Sequence, residues 1–213
     1  MIAIMAHVAR RRNDTVRYHP FVTGRHDARD RALDATVELL LERGWTGTTP
    51  AAVAERAGAG KMSLYRHFTG KDELVAAALA QFSATQRRWL LGPDGDPPRD
   101  RLLGAFTRIG DRVRSGKLAV GCPFVATRLQ SPDKDGPAAM QVLAHKNSVA
   151  AEFTRLLQQL GHPDAAATGE ALLLLLDGAI VHAAMSGSDR PVLVAARAAA
   201  TLIDAHTLSA TDQ

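Results

Sequence analysis

The fold is decided by the stretch from Gly44 to Lys71, which reads GWTGTTPAAVAERAGAGKMSLYRHFTGK. Thr49 precedes a proline, and a threonine cap followed by proline is typical of a helix start, so a short helix is predicted over Pro50–Ala57. The glycines of segment 58–60 then interrupt the chain, and a second short helix is predicted over Lys61–Phe68. Two short helices joined by a glycine-rich turn indicate a helix-turn-helix unit.

Charge is concentrated on and before this stretch. Segment 1–26 carries five arginines against one aspartate, a net charge of +4, and shows no periodicity, so it is interpreted as a flexible basic arm that adds DNA contacts. Segment 56–71 carries another four basic residues and no acid. Because the whole chain has a net charge of only +4, the remainder is acidic. Charge alone favours a polyanionic partner and a solvated charged face equally.

Working outward, every periodic segment has the spacing of a helix. An amphipathic helix is predicted from Asp27 to Gly44, and the chain beyond the decisive stretch predicts helices over 71–91, 97–115, 123–130, 137–160, 164–186 and 189–208. No alternating strand pattern occurs. We therefore expect an all-α protein. Its predicted parts are the arm over 1–26, a three-helix DNA-binding domain over 27–74, and a larger helical effector-binding and dimerisation domain over 75–213.

The second helix of the unit has a polar face suited to nucleic acid. Leu64 and Phe68 are four residues apart and are predicted to pack inward. The outward or flanking positions are then Lys61, Met62, Ser63, Tyr65, Arg66 and His67. Most of these side chains donate hydrogen bonds to phosphate oxygens and base edges.

The stretch resembles the TetR family of bacterial transcriptional regulators. The resemblance lies in Ala32-Leu33-Asp34-Ala35, Leu39-Leu40, Gly44-Trp45, Thr48-Thr49, Val53-Ala54, Ala57-Gly58, Leu64-Tyr65, His67-Phe68, Lys71 and Leu74. It implies that Thr48 and Thr49 contact DNA, with Thr49 at a phosphate, and that Lys71 binds a phosphate. It also implies that Lys61–Phe68 is the recognition helix, whose first residues read bases. It also implies a homodimer that binds an inverted-repeat operator in double-stranded DNA and releases it when a small-molecule effector binds. Repressor and activator roles both stay open, with the repressor favoured.

Two departures from the family pattern bear on which sequence is read. Ala59-Gly60 stands where the family usually has valine and a hydroxyl residue, and Met62 stands where it often has glycine. Segment 58–63 also looks like a phosphate-binding loop. That pattern requires glycine at position 55 and serine or threonine directly after Lys61, whereas this chain has Glu55 and Met62.

The C-terminal part supplies candidates for an effector pocket and a dimer interface. The pocket candidates are Phe82, Trp89, Phe106, Phe124, Phe153, His145 and His182, each of which plain core packing would also explain. The last two predicted helices are apolar on more than one face, so a partner surface is predicted at Leu172, Leu176, Ile180, Ala184, Val192, Ala196, Ala199 and Ile203. Cys122 begins a predicted helix and is either a thiol sensor or an inert buried cysteine.

Composition excludes several other classes of protein. One cysteine allows neither an intramolecular disulfide nor a four-cysteine zinc site, and no metal or cofactor is predicted. The longest apolar run, 171–176, is too short to cross a membrane, so a cytoplasmic location is expected. We expect no enzyme activity, because no catalytic motif is present. The alternatives are an all-α enzyme that keeps the unit as scaffold and a sequence-independent DNA-coating protein.

Overall fold

A computed structural model describes residues 27–118 and 121–209, with side chains to residue 205. The predicted basic arm over 1–26 lies outside the described residues. These residues form nine helices: α1 (Ala28–Gly47), α2 (Pro50–Arg56), α3 (Lys61–Tyr65), α4 (Lys71–Leu91), α5 (Pro98–Arg114), α6 (Pro123–Gln130), α7 (Pro137–Gln159), α8 (Ala165–Ser186) and α9 (Arg190–Ser209). No strand occurs in either described range, so the all-α prediction is confirmed.

The helix-turn-helix unit forms where the sequence signals place it. Gly44 has φ of +66° and kinks the last turn of α1, a backbone conformation that glycine adopts without strain. The Thr49 hydroxyl accepts a hydrogen bond from the Ala52 amide at 3.1 Å and caps α2. Gly58 has φ of +60° and turns the chain between α2 and α3. The turn is tied to α1 because the Arg31 side chain donates to the Ala57 carbonyl at 3.2 Å.

Two hydrophobic cores lie along the molecule, and α4 contributes to both. The first core joins α1–α3 to the first half of α4 and also takes in Phe124, Ala138 and Val142 from α6 and α7. The second core joins Leu90 and Leu91 at the end of α4 to helices α5 and α7–α9. The proposed domain boundary at residue 74 therefore falls inside a continuous helix and a continuous core. A movement of α4 would be felt in both parts of the chain.

The helix α8 is the most apolar element of the described chain. By length and composition alone it is the one helix of residues 27–118 and 121–209 that could cross a membrane. It lies instead between α7 and α9 and contributes Leu172 and Leu176 to the second core. Its composition is that of a helix packed between two others.

The predicted partner surface is only partly available on this chain. Six of its eight residues are buried inside the second core and pack against their own chain: Leu172, Leu176, Ile180, Val192, Ala199 and Ile203. Ala184 and Ala196 remain half-buried. The large apolar side chains that α8 and α9 expose are Leu174, Val181, Met185, Leu193 and Val194. These six residues are therefore not available to a partner, and the choice of α8 and α9 as the partner surface stays a prediction.

Candidate nucleic-acid interface and effector cavity

The outward face of α3 presents the polar side chains that the sequence predicts. Leu64 and Phe68 are 3% and 4% exposed and fix the helix on the first core. Tyr65 is 53% exposed and Met62 77% exposed, and Lys61, Arg66 and His67 are exposed beside them. Arg66 donates to the half-buried Ser63 hydroxyl at 3.3 Å, which joins the two side chains on that face. A short helix that offers an ammonium, a guanidinium, an imidazole and a phenol has the chemistry to meet a DNA groove.

The two threonines before α2 have different environments. Thr48 is 1% exposed, and its hydroxyl donates to the Gly44 carbonyl at 2.8 Å. This side chain closes the kink of α1 and has almost no surface exposed to DNA, so its position does not support the predicted DNA contact. Thr49 is exposed and caps α2, so its side chain lies at the surface beside α3.

Two of the four basic residues in segment 56–71 are held by partners on α1. Arg56 contacts Glu38 at 3.1 Å and Glu42 at 2.8 Å, so this charge is balanced within the unit. The Lys71 ammonium donates to the Trp45 carbonyl at 2.6 Å and lies 4.4 Å from the centre of the Trp45 ring. Burial lowers the pKa of Lys71 from its ordinary value. An ammonium has three N–H donors, so two remain for a phosphate at the start of α4.

A narrow cavity lies between helices α4 to α8, in the region where an effector pocket is predicted. Its volume is about 40 Å³, far below the ~300 Å³ of a typical small-molecule site. Its apolar wall is formed by Phe82, Phe124, Leu90, Val149, Leu173 and Leu176. Its polar wall is formed by Gln86, Arg112, Cys122, His145, Lys146 and Asp177. The cavity as it stands holds nothing larger than a few atoms, so a ligand would have to separate the helices around it.

Three of the seven predicted pocket residues line this cavity: Phe82, Phe124 and His145. The other four lie elsewhere. Phe106 and Phe153 are fully buried in the second core, and His182 is exposed on α8. Trp89 lies outside the lining and carries the Arg112 guanidinium 3.5 Å from its ring centre.

Sequence reasoning missed Lys146 and Asp177, whose side chains meet at 2.5 Å across the cavity. Their signal was available, because each is a charge within an otherwise apolar helical face. In the sequence, Asp177 directly follows the leucine run.

The imidazole of His145 is held in a buried aromatic stack. Its ring lies 3.6 Å from the Phe124 ring, centre to centre, and its Nδ1 atom is 2.8 Å from the Ser83 hydroxyl. Burial, with the nearby charges of Lys146 and Arg87, lowers the pKa of His145 to about 3. The imidazole is therefore neutral at physiological pH.

This buried histidine predicts a loss of stability in acid. Since its pKa is lower in the folded than in the unfolded chain, the unfolded chain binds one more proton between about pH 6.5 and about pH 3. As the pH is lowered through this window, the free energy of unfolding should thus fall by up to about 1.4 kcal/mol for each pH unit. Urea unfolding of the His145→Gln protein should show a shallower fall, whereas His182→Gln, at an exposed site, should behave as the natural chain. Equal slopes for all three would contradict the assignment.

Comparison with known proteins finds bacterial transcriptional regulators. Residues 32–78 match the family model described as bacterial regulatory proteins, tetR family. The chain is 36% identical over 72 residues to an HTH-type transcriptional regulator of Bacillus subtilis, YvkB, and 33% identical over 94 residues to the HTH-type transcriptional regulator TcmR of Streptomyces glaucescens. These alignments cover 34% and 42% of this chain and 38% and 40% of those two regulators.

The likeness to solved structures extends over the whole helical body. A TetR transcriptional regulator of Streptomyces avermitilis superposes with a TM-score of 0.76 and is 30% identical in sequence. The match covers 84% of this chain and 98% of that chain. The relation therefore includes the C-terminal helices as well as the helix-turn-helix unit.

Proposed function

This chain belongs to the TetR family of bacterial transcriptional regulators and is a DNA-binding protein of that class, and from this we propose that it acts as a homodimeric repressor released from its operator by a small-molecule effector. The observation that carries the proposal is the exposed polar face of α3, which Leu64 and Phe68 hold on the first core. Each α3 would enter the major groove at one half of an inverted repeat. The protein would work in the cytoplasm, where the DNA is.

The partner surface in this proposal is the exposed apolar face of α8 and α9. Leu174 and Met185 are 73% and 76% exposed, and Leu193 and Val194 are about half exposed on the neighbouring helix. Apolar side chains gathered on two adjacent helices favour burial against a second copy. A two-fold dimer would give the two recognition helices the symmetry of an inverted repeat.

The connection between cavity and DNA in this proposal is α4. The helix begins at Lys71 beside the recognition helix and supplies Phe82, Gln86 and Leu90 to the cavity wall. At its start, the Asp72 carboxylate accepts a hydrogen bond from the Ala138 amide at 3.0 Å and so holds the first turn of α7. A ligand that widened the cavity would displace α4 and change the spacing of the two recognition helices.

The Lys71 contact gives a quantitative test of the DNA geometry. Replacing Lys71 by methionine keeps most of the stem but removes the charge, so we expect operator affinity to fall. Because the homodimer loses one phosphate contact in each subunit, the steepness of log affinity plotted against log salt concentration should decrease by about 1.8. Fluorescence anisotropy over a series of salt concentrations measures both. Lys117→Met, an exposed charge loss after α5, is the matched control and should leave the slope unchanged. An unchanged slope in the Lys71 variant would remove this residue from the interface.

Two other functions lead to different results in simple assays. If the chain were instead an all-α enzyme, with the helix-turn-helix unit serving only as scaffold, the purified protein would convert a small molecule and would not bind DNA. A DNA-coating protein would bind random and promoter DNA with equal affinity. Selection of bound fragments from the genome of the source organism, followed by a gel shift on the enriched sequence, tests the proposal directly. Recovery of no enriched inverted repeat would overturn it.

A further inference from the structure

The cavity carries a reactive group that the proposed regulation leaves unexplained. Cys122 is half-buried at the start of α6, and its sulfur lines the cavity beside the Lys146 ammonium. We infer that the cavity receives a small α,β-unsaturated carbonyl compound, which adds covalently to the Cys122 Sγ atom and acts as the effector. This inference rests on the proposed function, because the consequence of the addition is release of DNA.

The arrangement of charge around the sulfur supports a reaction at this place. The Lys146 Nζ atom is 3.8 Å from Cys122 Sγ and 2.5 Å from the Asp177 carboxylate. The Lys146 and Asp177 side chains are only 17% and 24% exposed. Asp177 therefore fixes a nearly buried ammonium within reach of both the sulfur and a ligand that touches it.

The protonation state of the ammonium agrees with this arrangement. Burial alone would lower the pKa of Lys146, but Cys122 and Asp177 together raise it above the ordinary value of lysine. Lys146 is therefore charged at physiological pH and can donate a hydrogen bond to an oxygen that gains negative charge.

The rest of the cavity suits a small flat ligand. Phe82 and Phe124 stack with ring centres 5.9 Å apart and an angle of 13° between the rings, and His145 continues the stack. Leu173, Leu176 and Ile180 on α8 contribute the facing apolar wall. A conjugated enone is planar and apolar apart from its carbonyl oxygen, which Lys146 would meet.

The step is balanced without any further reagent. The sulfur forms a bond to the β-carbon of the ligand while the carbon–carbon π bond breaks, and its electron pair moves onto the carbonyl oxygen as an enolate. Lys146 donates a proton to the enolate and regains one from the thiol, so the thiol hydrogen ends on the carbon next to the carbonyl. Sulfur and hydrogen have then added across the double bond, and nothing is oxidised or reduced.

The size of the cavity supplies the link to regulation. A volume of about 40 Å³ leaves no room for a four-carbon adduct unless the lining helices move apart, and α4, which supplies Phe82 and Gln86, is one of these helices. Reversible binding to such a closed space would be weak, because the ligand would have to supply the free energy of opening the cavity. A covalent bond can supply that free energy.

The test uses the full-length protein, methyl vinyl ketone as the probe and butan-2-one as its saturated control. Because the chain has one cysteine, intact-mass spectrometry counts the adduct at a single thiol. We expect one adduct per folded chain, formed faster than on the urea-unfolded chain, and a lower operator affinity only after modification. Cys122→Ser should show neither effect, and butan-2-one should leave the natural chain unmodified and bound to DNA.

The role of the ammonium has its own variants. Lys146→Met should slow adduct formation by about 100-fold or more, the lower end of the range for loss of a proton donor. The double variant Lys146→Met with Asp177→Leu replaces the ion pair by apolar groups and guards against misfolding of the single variant. Thermal unfolding of each protein checks that the fold is kept. Reaction rates in both variants equal to that of the natural chain would remove Lys146 from the step.

The outcomes separate this inference from the proposed function. Operator binding by the unmodified protein with no adduct on the folded chain overturns the inference and leaves the repressor proposal standing. An adduct without any change in operator affinity also overturns it. If the unmodified protein fails to bind an operator, the proposed function fails, and the effector assignment fails with it, while the rate comparison still decides whether the thiol site exists.

Discussion

Replacing Lys61 and Tyr65 together by alanine is expected to weaken operator binding by about 100-fold or more while leaving the protein folded. Both side chains extend from the outward face of α3, with Tyr65 53% exposed and Lys61 also exposed. Each lost contact to a base or phosphate is worth about 1 to 3 kcal/mol, and the two losses add if the residues act separately. Because neither side chain belongs to the core, the free energy of unfolding should change by less than about 0.5 kcal/mol.

The measurement is a gel shift or fluorescence anisotropy titration on the selected operator, with thermal unfolding alongside it. The matched control is the double variant Lys117→Ala with Leu129→Ala, which removes one charge and one exposed large side chain from the C-terminal part. We expect the control to bind as the natural chain does. Operator affinity retained in the Lys61 and Tyr65 variant would show that α3 does not read this DNA.

A second large effect is expected from Leu174→Glu combined with Val181→Glu. These side chains are 73% and 38% exposed on the outer face of α8, so the change costs the single chain little. Across a two-fold interface, however, each new carboxylate would lie in an apolar contact near its symmetry mate. We expect a monomer that binds the inverted repeat about 100-fold or more weakly, since the two half-sites would no longer be engaged by one linked particle.

Sedimentation or light scattering at several concentrations measures the assembly, and the same titration on operator DNA measures its consequence. Met140→Glu with Leu143→Glu is the matched control, because these residues form an equally exposed apolar pair on α7. If the α8 variant stays dimeric and the α7 variant dissociates, the partner surface lies on α7 and not on α8. Monomers in the natural chain would overturn the homodimer proposal itself.

The starts of α2, α3 and α4 could be predicted because their signals are local. The ends were less exact, since α1 continues to Gly47 rather than Gly44 and α3 ends at Tyr65 rather than Phe68. Thr49 and Pro50 start α2, Gly58 turns the chain, and each behaves as its backbone chemistry requires. The inward packing of Leu64 and Phe68 also follows from their four-residue spacing. A helix cap and the inward face of a single helix depend on residues within a few positions of each other, so the sequence alone indicates them.

The orientation of α8 could not be predicted for a physical reason. Residues 172–176 are five consecutive leucines, so periodicity gives no preferred face. In the structure Leu172 and Leu176 are buried while Leu174 is 73% exposed, a choice made by α7 and α9 packing on either side. The pairing of Lys146 with Asp177 could not be predicted either, because these residues are 31 positions apart and meet only when α7 packs against α8.

The shared first core limits how this regulator can be rebuilt. Phe124, Ala138 and Val142 complete the hydrophobic interior that α1–α3 begin, and Asp72 is tied to the first turn of α7. Consider a hybrid in which the predicted DNA-binding domain, residues 27–74, is joined to the C-terminal helices of a relative. Those helices would present different side chains to the first core. The hybrid would either leave a void or force an overlap at the junction. A working chimaera will therefore need Phe124 of α6 and Ala138 and Val142 of α7 to be transferred together with residues 27–74.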